Sequence, residues 1–247
     1  MTAPTPPEEA STSADARATR TAVVTGASSG IGLAIASDLA GAGWHVLGLS
    51  RSRGALPDAA MWVPCDLADV ISAGEAVRAV RETATGGVDA IVHAAGLQFS
   101  ARVDELRPDQ GERMWAVHVR GAELVVGGLV DVLGDGGRVV LVGSRTMTGV
   151  PGKSQYAATK AALAAMARSW AAELASRGIT VNVVAPGPTR TAMLEDPNRA
   201  SVPPVVPPLG RLVQPAEVAA LTRFLLDPSG TMITGQTFVI CGGASLS

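Results

Sequence analysis

The chain is poor in aromatic residues, in charge and in cysteine. Aromatic side chains make up 3% of its 247 residues, and only one of them, Tyr156, is a tyrosine. Cys65 and Cys241 lie far apart, with no CxxC pair and no His/Cys cluster at metal-ligand spacing, so we expect neither a disulfide framework nor a metal site. The net charge is -2 and no long basic run occurs, which makes nucleic acid and anionic membranes poor candidates for partners.

Long hydrophobic runs are also missing. No apolar stretch approaches the roughly 20 residues of a membrane-spanning helix, and the N-terminus has neither the basic nor the apolar region of a signal peptide, so we expect a cytoplasmic protein. Residues 1–20 are rich in Ala, Thr, Ser and Pro and nearly free of large apolar side chains. Such a segment cannot bury enough surface to offset its ordering entropy. We therefore predict a disordered N-terminal extension over 1–20 and a folded domain over 21–247.

Hydrophobic residues, by contrast, make up 47% of the chain, which is enough for a sizeable core. From Thr21 onward, short apolar runs alternate with longer helical patterns. Strands that are nearly all apolar and are separated by helices are typical of a parallel sheet covered on both faces. We predict a single α/β domain, a Rossmann-like doubly wound parallel sheet of about seven strands. The predicted strands are AVVTG, HVLGLS, MWVPCD, VDAIVHAAG, GRVVLVGS, ITVNVVAPG and TFVICGG.

The first predicted strand ends in a glycine-rich loop, TGASSGIG, from Thr25 to Gly32. In doubly wound sheets, ligands bind at the carboxyl ends of the strands. Glycines at such a place let the backbone turn sharply and approach a pyrophosphate, while the amides at the start of the next helix face the phosphates. Because the loop follows a strand and precedes a helix, it predicts a dinucleotide site better than a simple turn.

The spacing TGxxxGxG, together with YAATK at residues 156–160, resembles the short-chain dehydrogenase/reductase family. The resemblance runs from Thr21 nearly to the C-terminus and is closest to the branch of 3-oxoacyl-carrier-protein reductases and carbonyl reductases. It implies an oxidoreductase that interconverts a ketone and an alcohol with a nicotinamide cofactor. The other marks that carry it are CDL at 65–67, HAAG at 93–96, Ser144, PGPTRT at 186–191 and the terminal ITGQTFVICGG.

The end of the second predicted strand favours NADP(H). NAD-specific sheets usually have an acidic residue there, which would repel a 2′-phosphate. Here Ser50 and Arg51 stand in its place, and a guanidinium beside a small hydroxyl suits a phosphate dianion. Arg53 fits a cofactor contact and a solvated loop residue equally well. The loop and the resemblance together imply a cofactor-binding set of Gly26, Ser28, Ser29, Gly30, Ile31, Gly32, Ser50, Arg51, Asp66, Leu67, Ala95, Gly96, Pro186, Gly187 and Thr189.

Tyr156 and Lys160 are four residues apart at the start of a predicted helix, so their side chains project to the same side. A free phenol has a pKa of about 10, and a fixed ammonium within roughly 4–6 Å favours the phenolate. This pairing makes the phenol a usable general acid and base. The resemblance implies that Ser144, twelve residues before the tyrosine, donates a hydrogen bond to the substrate carbonyl. We predict Ser144, Tyr156 and Lys160 as catalytic residues.

The sequence departs from the family pattern at two places near this site. His118 stands where many relatives have an asparagine that holds a water molecule linking the lysine to solvent. An imidazole both donates and accepts hydrogen bonds, so we include His118 among the catalytic residues as a holder of that water or a carrier of protons. A helix histidine bonded to a backbone carbonyl is an equally good interpretation. HAAG at 93–96 replaces the usual NNAG and predicts different hydrogen bonding at that strand end.

The resemblance places a substrate lid at about 191–211, where five prolines from Pro197 to Pro208 make a continuous helix impossible. We expect an NADPH-dependent reductase acting on a ketone with a largely apolar skeleton, such as an acyl, polyketide or other secondary-metabolite compound. The alternatives are an alcohol dehydrogenase working in the oxidative direction and a non-catalytic dinucleotide-binding sensor. Arg145 fits a solvated arginine better than an anion contact. The apolar candidates for the pocket wall are Phe99, Met147, Val150, Met193, Leu194 and Val202.

Besides a small-molecule ketone or alcohol as substrate, the partners that we expect are further copies of the chain. The alanine-rich helix predicted at about 154–176 allows a neighbouring helix to approach closely, and the family commonly pairs this helix across a dyad. We predict a homotetramer, with a dimer as the alternative. Arg177 suits a carrier-protein partner, whereas Asp135 counts against one.

Overall fold

The computed structural model describes residues 19–195 and 205–246. The predicted N-terminal extension therefore lies outside the described residues except at its last two positions. Arg20, the final residue of that extension, already contacts the folded part of the chain. Its guanidinium lies 4.0 Å from the ring centroid of Trp44 and 3.2 Å from a carboxylate oxygen of Asp227.

Seven parallel strands form one sheet in the order β3-β2-β1-β4-β5-β6-β7. The order reverses between β1 and β4, the position at which doubly wound sheets bind their ligands. All seven predicted strands are confirmed, and the Rossmann-like α/β fold is confirmed with them. The strands are β1 (Thr21–Thr25), β2 (His45–Ser50), β3 (Ala60–Pro64), β4 (Val88–His93), β5 (Leu133–Val142), β6 (Thr180–Pro186) and β7 (Thr237–Ile240).

Helices cover both faces of the sheet. Local sequence explains several of their ends: Asp69 accepts a hydrogen bond from the Ile71 amide at the start of α2, and Gln214 and Glu217 form a capping box at the start of α6, which satisfies amides that have no partner within the helix. The helices are α1 (Gly30–Gly41), α2 (Val70–Thr83), α3 (Pro108–Trp115), α4 (Gly121–Leu129), α5 (Ser154–Leu174) and α6 (Pro215–Leu226).

The core consists of two apolar layers, one on each face of the sheet. Ala73 of α2, Val125 of α4 and Leu163 of α5 belong to the first layer, whereas Ile35 of α1 and Leu225 of α6 belong to the second. Every residue of β1 and of β6 is buried, as expected for central parallel strands. The strand ends are therefore held at fixed positions on one edge of the sheet. None of the helices in the described ranges is both long enough and apolar enough to cross a bilayer.

Candidate active site

A cavity opens at the carboxyl ends of β4, β5 and β6, and it brings together most of the predicted catalytic and nicotinamide-side residues. Its wall includes Ser144, which follows β5, and Tyr156 and Lys160 from α5. All three side chains are at least 92% buried. The remaining lining residues are Ile31, Ala94, Gly96, Gln98, Val142, Gly143, Arg145, Thr146, Val150, Lys153, Pro186, Gly187, Pro188, Thr189, Thr191, Met193, Leu194 and Val205.

Lys160 lies beside the tyrosine ring, as the four-residue spacing predicts. Its Nζ is 5.9 Å from the ring centroid of Tyr156 and donates a 2.8 Å hydrogen bond to the carbonyl of Val142, the last residue of β5. Burial lowers the pKa of Lys160 from 10.5 to about 7, because a desolvated ammonium is costly. The lysine is therefore poised to exchange a proton near neutral pH, and any anion formed beside it favours its charged form.

Ser144 is held in place by a residue that the sequence did not single out. The Thr146 amide donates to the Ser144 Oγ at 3.2 Å, and the hydroxyls of the two residues are 2.9 Å apart. Both side chains are buried and line the cavity. The Ser144 hydroxyl is thus oriented by the turn that follows β5, and its proton can point to Thr146 or to a carbonyl oxygen in the cavity.

Both ring nitrogens of His118 are engaged by the protein. The Leu97 amide donates to Nε2 at 3.0 Å, and Nδ1 lies 2.8 Å from the hydroxyl of Thr159. That hydroxyl itself donates to the carbonyl of Tyr156 at 2.8 Å, so it accepts from Nδ1 and the ring is the neutral Nδ1–H tautomer. Burial lowers the pKa of His118 well below 6.5. These contacts support the interpretation of His118 as a helix histidine whose hydrogen bonds are made within the protein. Its partners are a backbone amide and a hydroxyl, in place of the backbone carbonyl that we expected.

His118 lies in a single π-helical turn, Ala116–Arg120, between α3 and α4. Such turns insert one residue into a helix and are frequent at functional sites. Gly96 lies against the same imidazole, and a Cβ on it would be 3.2 Å from Nε2 of His118 and 3.6 Å from Nζ of Lys160. The absence of a side chain at Gly96 therefore lets the strand end pass close to both groups.

His93 of HAAG is fully buried at the end of β4. Its Nδ1 is 3.1 Å from the Thr25 hydroxyl, which accepts 3.1 Å hydrogen bonds from the amides of Ala94 and Ala95. The hydroxyl proton is therefore free to point to Nδ1. Burial lowers the pKa of His93 to about 3. In this chain, the strand end that carries HAAG is therefore hydrogen bonded through the Thr25 hydroxyl, to the imidazole of His93 and to the amides of Ala94 and Ala95.

The glycine-rich loop has no room for side chains at two of its glycines. A Cβ on Gly26 would lie 2.7 Å from the Cα of Ala95, and one on Gly32 would lie 2.3 Å from the carbonyl oxygen of Gly26. Gly26 and Gly30 also have positive φ angles of 68° and 56°, which favour glycine. Ser29 is the N-cap of α1 but its side chain makes no capping hydrogen bond, so the amides of the first turn remain available to a ligand.

Arg51 and Arg53, which follow the end of β2, differ in their contacts. Arg53 forms an ion pair with Asp58, whereas Arg51 is exposed and has no ion pair within the part of the chain that the structure describes. Ser50 is buried, and its Oγ donates to the carbonyl of Ser52 at 2.7 Å. The β2 loop reaches the glycine-rich loop, since the Ala55 amide donates to the carbonyl of Ser28. Of the two arginines, Arg51 is thus the one that no described carboxylate engages.

At the end of β3, Asp66 forms a turn. One of its carboxylate oxygens accepts a 3.0 Å hydrogen bond from the amide of Ala68. The side chain of Leu67 is buried in the core layer that contains Val63. Leu67 therefore has only its backbone to offer a cofactor.

The turn after β6 is packed against the C-terminal strand. A Cβ on Gly187 would lie 2.7 Å from the Cβ of Cys241, which accounts for the glycine at position 187. The Thr189 hydroxyl donates to the carbonyl of Gly187 at 3.0 Å, and Thr189 is 4% exposed. Pro186, Gly187 and Thr189 all line the cavity.

The predicted lid is described at 191–195 and 205–211, and Val202 lies outside the described residues. Met193, Leu194 and Val150 line the cavity as predicted, whereas Phe99 and Met147 are not among its lining residues. Arg177 and Asp135 form an ion pair with each other at 3.0 Å. Because the two side chains pair with each other, Arg177 no longer argues for a carrier-protein partner and Asp135 no longer argues against one.

Three buried polar residues of the cavity were missed by sequence reasoning: Gln98, Thr146 and Lys153. For Lys153 a signal existed, because the chain has only two lysines, and this one precedes Tyr156 by three residues. Gln98 and Thr146 carry no comparable mark, since such residues are common in loops.

Comparison with known proteins gives matches over nearly the whole chain. A family model described as enoyl-(acyl carrier protein) reductase matches residues 26–245. The 3-oxoacyl-(acyl-carrier-protein) reductase FabG of Vibrio harveyi is 34% identical over 237 residues, covering 90% of this chain and 96% of that protein. Carbonyl reductase family member 4 of Danio rerio is 36% identical over 240 residues, covering 92% and 98%. A short-chain dehydrogenase of Burkholderia cenocepacia J2315, solved in complex with NADP, has a TM-score of 0.81 at 33% identity and covers 92% and 98%.

Proposed function

The chain belongs to the short-chain dehydrogenase/reductase family, and on that premise we propose that it is an NADPH-dependent reductase of a ketone on a largely apolar skeleton. The observation that carries the proposal is the convergence of Ser144, Tyr156 and Lys160 on one cavity. A hydroxyl, a phenol and an ammonium group around an apolar space supply hydrogen-bond donors and a proton for a carbonyl oxygen.

NADP(H) is the cofactor that the residues fit. The solved relative from Burkholderia cenocepacia holds NADP. In this chain, Gly26 and Gly32 leave a space along the glycine-rich loop, the cradle, that any Cβ at either position would fill. The uncapped start of α1 offers amides to a pyrophosphate. The end of β2 offers Ser50 and Arg51 to a 2′-phosphate, and residues 50–53 include no carboxylate that would repel it. When bound, NADPH supplies the hydride.

The side chains supply the rest of the chemistry. Tyr156 gives its phenolic proton to the carbonyl oxygen as the carbonyl carbon is reduced, and Ser144 donates a hydrogen bond to that oxygen. The ammonium of Lys160 stabilises the phenolate that remains, because an opposite charge at this distance favours the ionised phenol. Burial strengthens this interaction by excluding water from the pair. A proton from solvent then restores the phenol.

We assign His118 a positioning role in this mechanism. Its Nε2 is occupied by the Leu97 amide and its Nδ1 by the Thr159 hydroxyl, so neither nitrogen is free to pass a proton. The chain of hydrogen bonds from Leu97 through His118 and Thr159 ends on the carbonyl of Tyr156. It ties the end of β4 to the turn of α5 that carries the phenol.

The test measures NADPH and NADH oxidation with a panel of ketones, and NADP⁺ reduction with the matching alcohols. Replacing Tyr156 with Phe should lower kcat/KM about 100- to 10,000-fold, the usual contribution of a general acid. NADPH binding, followed by fluorescence, is the control and should persist in Tyr156→Phe. Turnover that survives this substitution contradicts the mechanism. Faster turnover of alcohols favours the oxidative alternative, and NADPH binding without any turnover favours a sensor.

We further propose that the protein forms a homotetramer, with a dimer as the alternative. The support is the alanine-rich composition of α5, which has exposed positions at Ala158 and Ala165 where a second helix can approach closely. Light scattering coupled to size-exclusion chromatography measures the mass directly. A single monomeric species contradicts the proposal.

A further inference from the structure

The turn that follows β5 places two hydroxyl groups side by side. The Oγ of Ser144 accepts a hydrogen bond from the Thr146 amide at 3.2 Å and lies 2.9 Å from the Thr146 hydroxyl. Both side chains are buried, with 8% and 7% of their surface exposed, and both line the cavity. The mechanism gives Ser144 a task and leaves the neighbouring hydroxyl of Thr146 without one.

The backbone of this turn fixes the pair. Ser144 is the N-cap of the 3₁₀ turn Arg145–Thr148, and its side chain accepts from the amide two residues further on. Serine and threonine side chains commonly make such bonds to a nearby amide. Any residue other than proline at position 146 would supply that amide, whereas only threonine or serine would place an aliphatic hydroxyl beside it. The hydroxyl is therefore the specific contribution of the Thr146 side chain.

The hydrogen-bonding capacity of Ser144 restricts what this hydroxyl can do. A hydroxyl group has one proton to donate and two lone pairs that accept. The Thr146 amide occupies one lone pair of the Ser144 Oγ. If Thr146 also donates its hydroxyl proton, both lone pairs are filled and the Ser144 proton points into the cavity. In the opposite direction, Ser144 gives its proton to Thr146 and has none for a substrate.

The partners of Thr146 favour the first direction in the working enzyme. Within the described ranges, the Ser144 Oγ is the one hydrogen-bond partner of the Thr146 hydroxyl. Once Ser144 donates to a substrate carbonyl, the Thr146 proton therefore has no other acceptor among these residues. A buried hydroxyl proton without an acceptor is unfavourable, so donation by Thr146 and donation by Ser144 occur together.

We propose that Thr146 is a positioning residue whose hydroxyl donates to the Ser144 Oγ and so directs the Ser144 proton to the carbonyl oxygen of the substrate. This inference rests on the proposed function, since it concerns the same cavity and the same reduction. With both lone pairs filled, Ser144 offers none to the phenol of Tyr156, whose proton is kept for the carbonyl. Hydrogen bonds in a chain also polarise one another, which strengthens Ser144 as a donor. Thr146 takes no part in bond making or breaking.

The first test is Thr146→Val, which keeps the shape of the side chain and removes the hydroxyl. We expect kcat for ketone reduction to fall about tenfold, the effect of one hydrogen bond, with KM for NADPH unchanged. Thr146→Ser keeps a hydroxyl and should retain the parent kcat. The matched control is Thr148→Val in the same turn, because Thr148 is exposed and is not a lining residue. It should also retain the parent kcat.

A double-mutant cycle with Ser144→Ala separates positioning from a structural role. In the Ser144→Ala background no hydroxyl is left to direct, so Thr146→Val should cause no further loss of kcat. The same tenfold loss in both backgrounds overturns the proposal. An unchanged kcat in Thr146→Val overturns it as well, and so does a loss that Thr146→Ser shares. Thr146→Ala replaces Thr146→Val in every arm if the latter does not fold.

A second measurement needs no turnover. If the parent reduces no ketone, the proposed function fails, and neutron diffraction from deuterated crystals grown with NADP⁺ tests the inference alone. Deuterium on the Thr146 hydroxyl directed to Ser144, with the Ser144 deuterium directed into the cavity, supports the proposal. A Ser144 deuterium directed to the Thr146 Oγ overturns it.

Discussion

The cofactor side and the substrate side of the active site are built from different kinds of groups. On the cofactor side, backbone and missing side chains define the surface: Gly26 and Gly32 leave a cradle, and the start of α1 offers amides. On the substrate side, buried side chains define it, among them Lys153, Lys160 and Ser144. A substitution that adds a single carbon atom should therefore weaken cofactor binding, whereas one that removes a charge or a hydroxyl should impair the reaction on the substrate side.

This difference reflects what each side must recognise. A pyrophosphate is bound through many equivalent backbone donors, so its site depends on chain geometry that a glycine pattern specifies. A particular ketone is distinguished by the placement of a few polar groups in an apolar wall. Buried cations such as Lys160, with its pKa lowered to about 7 by desolvation, occur on the side where a proton and a charge must be handled.

The largest effect expected on the cofactor side comes from Arg51, an exposed charge that has no ion pair among the described residues. Arg51→Asp should shift the ratio of kcat/KM for NADPH over NADH toward NADH by about 10- to 100-fold, since a charge-assisted hydrogen bond contributes about 1.5–3 kcal/mol and the new carboxylate repels a 2′-phosphate. Steady-state kinetics with both cofactors measures the ratio. The matched control is Arg53→Asp, whose arginine is already paired with Asp58. Equal shifts in both variants would remove the distinction between the two arginines.

A smaller effect should follow from adding one methyl group to the cradle. In Gly32→Ala the new Cβ would lie 2.3 Å from the carbonyl oxygen of Gly26, and relieving such a clash costs about 1–3 kcal/mol. NADPH should bind about tenfold more weakly, as followed by cofactor fluorescence. Gly74→Ala in α2 is the control, because its Cβ meets nothing within 4 Å and should stabilise the helix by about 0.5–1 kcal/mol. Unchanged NADPH affinity in Gly32→Ala would mean that the loop adapts.

Sequence alone predicts most of the cofactor side. The glycine spacing, the seven strand segments and the Ser50–Arg51 strand end are local patterns, and the structure brings them to one edge of the sheet. The pairing of Tyr156 with Lys160 is equally local, because four residues on a helix fix it.

The rest of the substrate side depends on contacts between distant segments. His118 meets Leu97 and Thr159 through hydrogen bonds that span 21 and 41 residues, and no local pattern reveals them. Whether Lys153 is a surface or a buried lysine depends on how the turn after β5 folds over the cavity. The π-helical turn that aims His118 has no signature in its own sequence, AVHVR. The sequence could therefore name the histidine but not decide between its two roles.

The smallest effect expected concerns that histidine and is measured as stability against pH. The folded chain keeps His118 neutral, since burial lowers its pKa well below 6.5, whereas the unfolded chain protonates it below about 6.5. Its contribution to stability is therefore complete above that pH and is lost as the pH falls. At pH 5.5 the loss relative to neutral pH should be about 1.4 kcal/mol, and His118→Asn should lack it.

Thermal or urea unfolding of both proteins at pH 7.5 and pH 5.5 gives this difference directly. His93 is also kept neutral by burial, with its pKa lowered to about 3, but it is present in both proteins and its acid-induced loss cancels. The substitution itself leaves the Leu97 amide and the Thr159 hydroxyl with a new partner, and that cost is the same at both pH values. If the two proteins lose equal stability on acidification, His118 takes up a proton in the folded state. The positioning role would then give way to the proton-carrier role, and the substrate side would contain a third titrating group beside Tyr156 and Lys160.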